Sequence, residues 1–501
     1  MRFRAHARRW RGHQWWPSLA ALGAAATGVT AAAPAAHAQA FGLNEIGSCA
    51  IARGFAVTST PCNDASSLFW NPGAVSNLPV GVSAYVGSTA IAVKGKFTAD
   101  VTGRQYNSNV PTSIPPYVGL AVRPANAPRL LVGIATYVPY GLTSQWNSDF
   151  PGKFSAQKAA LQDFYIQPTA AYELVPGKLS VGAGAILAYS QIELRQSLDF
   201  SQSPLPGAGV PGTGIPAGAT LAAIGIQPGT EFATAKVAGN GVGGGYTLGL
   251  HARPIPTVQI GARYLSKVTI HYDRATANFY TSPSADSVVF GAGNPLGVPA
   301  GTSLQQVVAA QFQPGVFAGQ GTLQPGQTAS SVITNPAQIQ AGVGFTGLPN
   351  TTLSVDYAQI RWSSFQTLPV NFYLPGGGLN TSLSRVQTEG YKNSNAVRAG
   401  LEHRFGGDAG IAGRLGFAYA QTAAPDSTVT PLLPDMDRYN FGGGLGIPLG
   451  RYVGERFAKY ALDASYLRVE TKGRRGRTVN VNNGFYNLNA NVFSTSIRAT
   501  F

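Results

Sequence analysis

The sequence predicts an all-β protein: a transmembrane antiparallel β-barrel of about 14 strands with an N-terminal hatch, or plug, in its lumen. Three observations predict it. Run after run of the chain alternates apolar and polar residues with period two. No stretch beyond the N-terminal leader approaches the length of an apolar spanning helix, so a closed barrel is the remaining way to cross a bilayer. The N-terminus carries an export pattern.

Length is the least informative property, since 501 residues suit several soluble domains or one large barrel. Composition says more: 62 Gly and 34 Pro with 11% charged residues disfavour helical bundles and suit strands joined by turns. A hydrophobic fraction of 44% argues against disorder.

The leader holds Arg2, Arg4, Arg8, Arg9 and Arg11, an apolar run from Leu19 to Ala33, and the small-residue pattern Ala36-His37-Ala38. It reads as a signal peptide, residues 1–38, cleaved after Ala38. An anchor helix is the weaker alternative, because the run is short and broken by Thr27, Gly28 and Thr30. Without the leader, Lys+Arg falls from 36 to 31 against 21 Asp+Glu, leaving a net charge of +10. These cations are scattered among apolar residues, with one dense cluster at Lys472-Gly473-Arg474-Arg475-Gly476-Arg477, which argues against a nucleic-acid partner. An exported basic chain meets outer-membrane lipid and lipopolysaccharide first.

The C-terminus alternates most clearly: Phe493, Thr495, Ile497, Ala499 and Phe501 share one face, and Ser494, Ser496, Arg498 and Thr500 the other. A soluble half-buried strand would look the same, but an aromatic last residue on an exported chain suits recognition by the barrel assembly machinery. Strand seven sets Val258, Ile260, Ala262, Tyr264, Val268, Ile270 and Tyr272 against Gln259, Arg263, Lys267, His271 and Asp273. Strand ten sets Val397, Ala399, Leu401 and Phe405 against Arg398, Gly400, Glu402 and Arg404, and strand thirteen opposes Tyr460, Leu462, Ala464 and Tyr466 to Ala461, Asp463 and Ser465. Strands are expected near 80–97, 115–124, 129–139, 160–175, 178–200, 231–254, 256–280, 330–348, 350–368, 391–405, 411–424, 436–449, 457–473 and 491–501, a barrel over residues 79–501. Short Pro-bearing turns alternate with long Gly/Pro-rich connections, the longest near 201–230 and 281–329, as periplasmic turns and extracellular loops do.

Residues 39–78 carry no strand alternation. They are expected to fold into the lumen as a hatch, with a periplasmic tail as the alternative. Cys49 and Cys62 lie thirteen positions apart in this segment. In an oxidising compartment they are expected to pair, stabilising the segment by roughly 3 kcal/mol, against the alternative of two buried thiols. With no His cluster nearby, neither a metal nor any other cofactor is expected.

Ala40-Phe41-Gly42-Leu43-Asn44-Glu45 at the mature start, Asn63-Asp64-Ala65-Ser66-Ser67, Asn71-Pro72-Gly73, Tyr140-Gly141-Leu142, Gln167-Pro168-Thr169-Ala170-Ala171-Tyr172 and Leu179-Ser180-Val181-Gly182-Ala183-Gly184 form a series of blocks. Trp362, Lys392-Asn393-Ser394-Asn395-Ala396-Val397-Arg398 and Leu433-Pro434-Asp435-Met436-Asp437-Arg438-Tyr439 complete it. In these blocks and their order the chain resembles the outer-membrane long-chain fatty-acid transporters of the FadL type, a group that includes aromatic-hydrocarbon channels. The resemblance implies a monomeric fourteen-strand barrel with a lumenal hatch, capture by outer loops, and sideways release beside a kinked third strand, here Arg129 to Pro139. Two departures bear on hatch mobility. The family's Asn-Pro-Ala is Asn71-Pro72-Gly73 here, where Gly loosens the backbone, and the cysteine pair is additional.

A fatty acid or hydrocarbon ligand needs an apolar channel, and a carboxylate also needs cations. By strand parity Arg263, Lys267 and Arg398 face the lumen, though pairing with Glu402, Asp463 and Asp437 would serve the barrel equally well. Phe41 and Leu43 in the hatch and Tyr137 on the third strand are candidate apolar contacts, Asn71, Pro72 and Gly73 candidate gating residues, and Lys153 a loop cation able to meet an anion. His251, His271 and His403 sit on separate strands with no nucleophile elbow or metal spacing, so an enzyme is not expected. The sequence thus points to a passive uptake channel for hydrophobic molecules. A surface adhesin without transport is the alternative, and a barrel hydrolase the third.

Overall fold

The computed structural model describes residues 40–74, 77–202, 216–294, 296–307, 327–374, 376–407, 409–477 and 483–501. The leader, residues 1–38, lies outside them, as do parts of the connections at 201–230 and 281–329.

Among the described residues, fourteen antiparallel strands form a closed wall. They are β1 Gly81–Ala99, β2 Pro116–Arg123, β3 Leu130–Gln145, β4 Lys158–Val175, β5 Leu179–Leu198 and β6 Ala233–Ile255. Four strands come in two runs: β7 Val258–Leu265 and Val268–Thr281, β8 Thr328–Asn335 and Gln338–Leu348, β9 Thr351–Ile360 and Thr367–Tyr373, and β10 Leu379–Thr388 and Ser394–Phe405. The rest are β11 Ile411–Ala420, β12 Arg438–Pro448, β13 Tyr460–Thr471 and β14 Gly484–Thr500. Each strand pairs with its sequence neighbours, and β14 returns to β1 in a register from Ser83↔Thr500 to Ala99↔Gly484. That closure removes the free edges of the sheet and pairs most of the wall's backbone groups within hydrocarbon.

The alternation read from the sequence is the inside–outside alternation of the wall. Val355, Val397, Leu415 and Phe493 point outward and are exposed, forming an apolar belt. Tyr357 and Tyr466 edge that belt and donate hydrogen bonds to Asn395 and Asn491. Turns at the other rim are tight, with Gly177 and Asn350 at φ 69° and 53°, a conformation open to Gly and tolerated by Asn.

The structure corrects the expected strand seven. Ser266 and Lys267 interrupt β7, and the phase flips across the break: Gln259, Arg263 and Leu265 point inward below it, whereas Val268, Ile270 and Tyr272 are buried above it. Lys267 and His271 therefore face outward and are exposed, not lumenal. Beyond the hydrocarbon a barrel wall meets water outside, so its inner face can be the greasier one. The outer runs Leu379–Thr388 of β10 and 484–490 of β14 lie outside the expected spans.

Residues 40–74 lie within the lumen, where two short helices, α1 Ser48–Ala52 and α2 Ser67–Trp70, are wholly buried. Phe55, Phe69 and Trp70 are among the largest buried side chains, and Cys49 and Cys62 are bonded with Cα atoms 6.2 Å apart. Inward-facing glycines make the room for this segment. A Cβ on Gly182 would sit 2.1 Å from the Pro72 carbonyl oxygen, on Gly261 2.1 Å from that of Thr58, and on Gly416 1.9 Å from the Gly54 nitrogen. Such approaches exclude any side chain, so the wall's glycine content reflects backbone packed directly on backbone.

Candidate functional site

Above the lumenal segment lies a cavity of about 620 Å³, within the range of small-molecule sites. Leu43, Ile91, Leu142, Leu161, Ile192, Leu433, Met436 and Val492 give it an apolar lining. Its upper wall comes from the connection 421–437, whose Leu432, Leu433 and Met436 are buried. Asp435 folds that connection inward. Its Oδ2 accepts the amides of Ala423 and Ala424 and the Thr422 hydroxyl, and its Oδ1 accepts the Ala40 amide at 2.9 Å.

Arg438 is the one cation lining the cavity among the described residues; Glu45, Asp435 and Glu193 are its carboxylates. Burial raises the Glu45 carboxyl above its ordinary range, with the opposing charge of Arg438 the strongest influence the other way.

Among the described residues, the wall beside the cavity is open between β2 and β3. The ladder between β2 and β3 runs from Val122↔Val132 to Val118↔Thr136, and pairing resumes only at Ser108↔Trp146 and at the Asn109 amide to the Gln145 carbonyl. Between these points β3 bulges at Val138-Pro139, shifting its register against β4 from Tyr137↔Tyr165 to Tyr140↔Asp163. Its backbone there serves the lumenal segment instead of β2: Leu43 donates its amide to the Pro139 carbonyl, and Gly141 donates to the Phe41 carbonyl, both at 2.9 Å. Val110, Ile114 and Pro115 on one side of this window and Val138, Gly141 and Leu142 on the other all line the cavity. So do the outward-facing Gln162, Gln191 and Asn240, so the cavity reaches from lumen to outer surface.

The residues singled out from the sequence fall into distinct places. Leu43 lines the cavity, whereas Phe41 is buried beside it with its ring 4.5 Å from that of Trp362 and 5.3 Å from that of Phe365. Tyr137 is buried against Phe69, ring centroids 4.8 Å apart, and its hydroxyl donates to Gln167. Arg263 lies 4.1 Å from the Phe69 ring centroid, where Nη1 donates to Gln338 and two guanidinium nitrogens have no hydrogen-bond partner among the described residues. Arg398 donates to the Phe55 carbonyl and to Asn44 Oδ1, near the rings of Phe55 and Trp70. Neither arginine lines the cavity.

Lumenal Glu402 and Asp463 do not pair with these arginines, as parity had allowed. Arg414 holds both, at 2.8 and 2.5 Å: Glu402 is its cross-strand partner on β10, and Asp463, two strands away on β13, is reached over Gly446 of β12. Asp437 accepts from Tyr419 and the Thr422 amide. Lys153 is no free loop cation either, since its Nζ lies 2.6 Å from Glu231 Oε2.

Asn71 bonds both sides of the segment–wall junction, its Nδ2 donating to the Thr58 and Leu250 carbonyls and its Oδ1 accepting the Gly73 amide. At Gly73 a Cβ would stand 2.6 Å from the Gly249 backbone, so glycine there also permits a close approach of the segment to the wall.

Sequence reasoning missed Arg438, Glu45 and Asp435 as cavity residues. Their signal was present in the blocks around Glu45 and Arg438, but nothing local joins segments so far apart along the chain.

The profile of the family described as "Outer membrane protein transport protein (OMPP1/FadL/TodX)" matches residues 29–501. The chain belongs to this family. This FadL/TodX-family member is accordingly an outer-membrane transport protein and not an enzyme. Similar solved structures include a Pseudomonas aeruginosa FadL homologue, TM-score 0.70 at 20% identity over 92% of this chain and 100% of that one. The Pseudomonas putida toluene transporter TodX gives 0.62 at 15% over 92% and 100%. The CymD monoaromatic hydrocarbon channel gives 0.60 at 17% over 92% and 99%. At these identities the likeness is one of fold. No curated protein sequence matches the chain.

Proposed function

We propose that this protein is a passive channel for hydrophobic molecules, which enter the cavity from the outer loops and leave sideways through the window between β2 and β3. The supporting observation is that one apolar cavity is lined both by lumenal residues such as Leu161 and Val492 and by both sides of that window. Below the cavity the route is filled by Phe55, Phe69 and Trp70, which are wholly buried. Passage into the bilayer's apolar interior needs no energy source, since transfer of apolar surface out of water is itself favourable. A toluene relative, TodX, and a monoaromatic hydrocarbon channel, CymD, share the fold, which fits cargo of this kind.

Within that class, uncharged hydrocarbons suit the cavity better than fatty-acid anions. A carboxylate would meet Arg438 beside Glu45 and Asp435, and Arg263 and Arg398 lie outside the lining. An anion in an apolar site carries a large desolvation cost, which one cation flanked by carboxylates offsets only in part. Fatty acids are the second reading, favoured by Arg438, whose side chain makes no ion pair among the described residues. Proteoliposomes carrying the protein should take up toluene without an energy source and faster than oleate. Uptake of neither would overturn the channel, and preference for oleate would support the second reading.

The hatch role rests on the same footing. The lumenal segment acts as a plug whose Phe41–Leu43 strand, bonded to Pro139 and Gly141, sets the shape of the window.

A further inference from the structure

The outward faces of β4, β5 and β6 are ordered in level rows set by the strand register. The apolar belt ends at Phe164, Tyr189 and Val242, which are cross-strand partners. The next outward row is Gln162, Gln191 and Asn240, and the one above is Ala160, Glu193 and Ala238. Above these, Lys158, Arg195 and Lys236 stand directly opposite one another.

Like charges directly opposite across a ladder repel, and three in a row need an anion. The protein supplies part of one. Glu193 lies 2.9 Å from Lys158 and 3.9 Å from Lys236, and Arg195 is exposed with no ion pair among the described residues. Three cations and one carboxylate leave a surplus of two positive charges, about the charge of a phosphate monoester. A hollow of about 170 Å³ lies at the same place, bounded by Gln145, Trp146, Gln157, Lys158 and Arg195.

The vertical order matches one partner. The cationic row lies six residues above Tyr189, roughly 15 Å above the belt after strand tilt. Lipopolysaccharide in the outer leaflet presents acyl chains and then sugar rings that carry both hydroxyls and phosphates, from the acylated disaccharide up into the inner core. The wall answers with an apolar row, an amide row able to bond hydroxyls, and a basic row. We propose that this face of β4–β6 binds the phosphorylated sugar headgroup of lipopolysaccharide, its phosphate held by Lys158, Arg195 and Lys236. Because Gln162, Gln191 and Asn240 also line the outer end of the cavity, the bound headgroup stands at the rim of the window.

The test is native mass spectrometry of the purified protein titrated with lipopolysaccharide, with the same lipid after phosphatase treatment, and with phosphatidylglycerol. The wild type should retain the phosphorylated glycolipid at least about tenfold more tightly than either other lipid. The triple variant Lys158→Gln/Arg195→Gln/Lys236→Gln should lose that preference, while Glu193→Gln, which leaves all three cations, should bind severalfold more tightly. Unchanged retention by the triple variant, or equal retention of the dephosphorylated lipid or of phosphatidylglycerol, would overturn the site. None of these outcomes depends on transport, so the site can fail without the channel failing, and the converse.

Discussion

The Ala40 amide donates to Asp435 Oδ1 at 2.9 Å across 395 positions of sequence, and Oδ2 of the same carboxylate gathers Thr422, Ala423 and Ala424. One side chain thus ties the start of the lumenal segment to the outer connection that roofs the cavity. Asp435→Ala should weaken that junction by about 2 kcal/mol, the scale of hydrogen bonds to a charged acceptor. Hydrogen exchange should accelerate at residues 40–43 and 422–424 while β5 and β6 keep their protection. Unchanged exchange at both segments would show that Asp435 does not couple them.

Gly73→Ala tests the packing of the segment on the wall. Its Cβ would stand 2.6 Å from the Gly249 backbone, a contact that backbone cannot easily relieve. The expected cost is about 1–3 kcal/mol, measured as a lower unfolding midpoint in detergent. A neutral result would leave only the reading of Gly73 as a loosened hinge.

Asn71→Ala leaves the Thr58 and Leu250 carbonyls and the Gly73 amide without their side-chain partner. The barrel ladders do not involve Asn71, so heat-modifiable gel mobility should persist. Toluene uptake should change, and an unaltered rate would argue that the segment is a passive filler.

Charge selectivity should depend on Glu45. Burial holds its carboxyl above the ordinary range, so on acidification it becomes neutral earlier than a solvated glutamate and the cavity loses a negative charge. Uptake of a long-chain alkyl sulfonate, which stays anionic throughout, should therefore rise as pH falls. Glu45→Gln should start high and lose that part of the pH dependence, and Arg438→Gln should lower sulfonate uptake severalfold with toluene unaffected. A sulfonate rate independent of both residues would remove the electrostatic account.

The barrel was legible where hydrocarbon imposes it. Phe493, Ile497, Val397 and Leu462 face lipid as their alternation indicated, because an outward polar residue there is costly. Where the wall leaves the hydrocarbon that constraint ends, so nothing in the sequence marked the phase flip at Ser266-Lys267 that turns Lys267 outward. The site was legible only in part. Leu43 and the block holding Arg438 were visible as segments, but Arg414 taking both Glu402 and Asp463 depends on strand register, and the Asp435 junction on how a connection folds back. The glycines were read as composition, while their positions record where the lumenal backbone touches the wall.

The lateral route stands or falls on the Val138-Pro139 bulge, which withholds the edge of β3 from β2. Deleting Pro139 alone, the one residue by which β3 exceeds β4 across the bulge, should restore the register, let the ladder continue past Val118↔Thr136 and close the window, with the barrel still folded. The decisive measurement is toluene uptake into proteoliposomes by this deletion beside the wild type. Loss of most of the uptake is expected, and undiminished uptake would contradict the window as the way out.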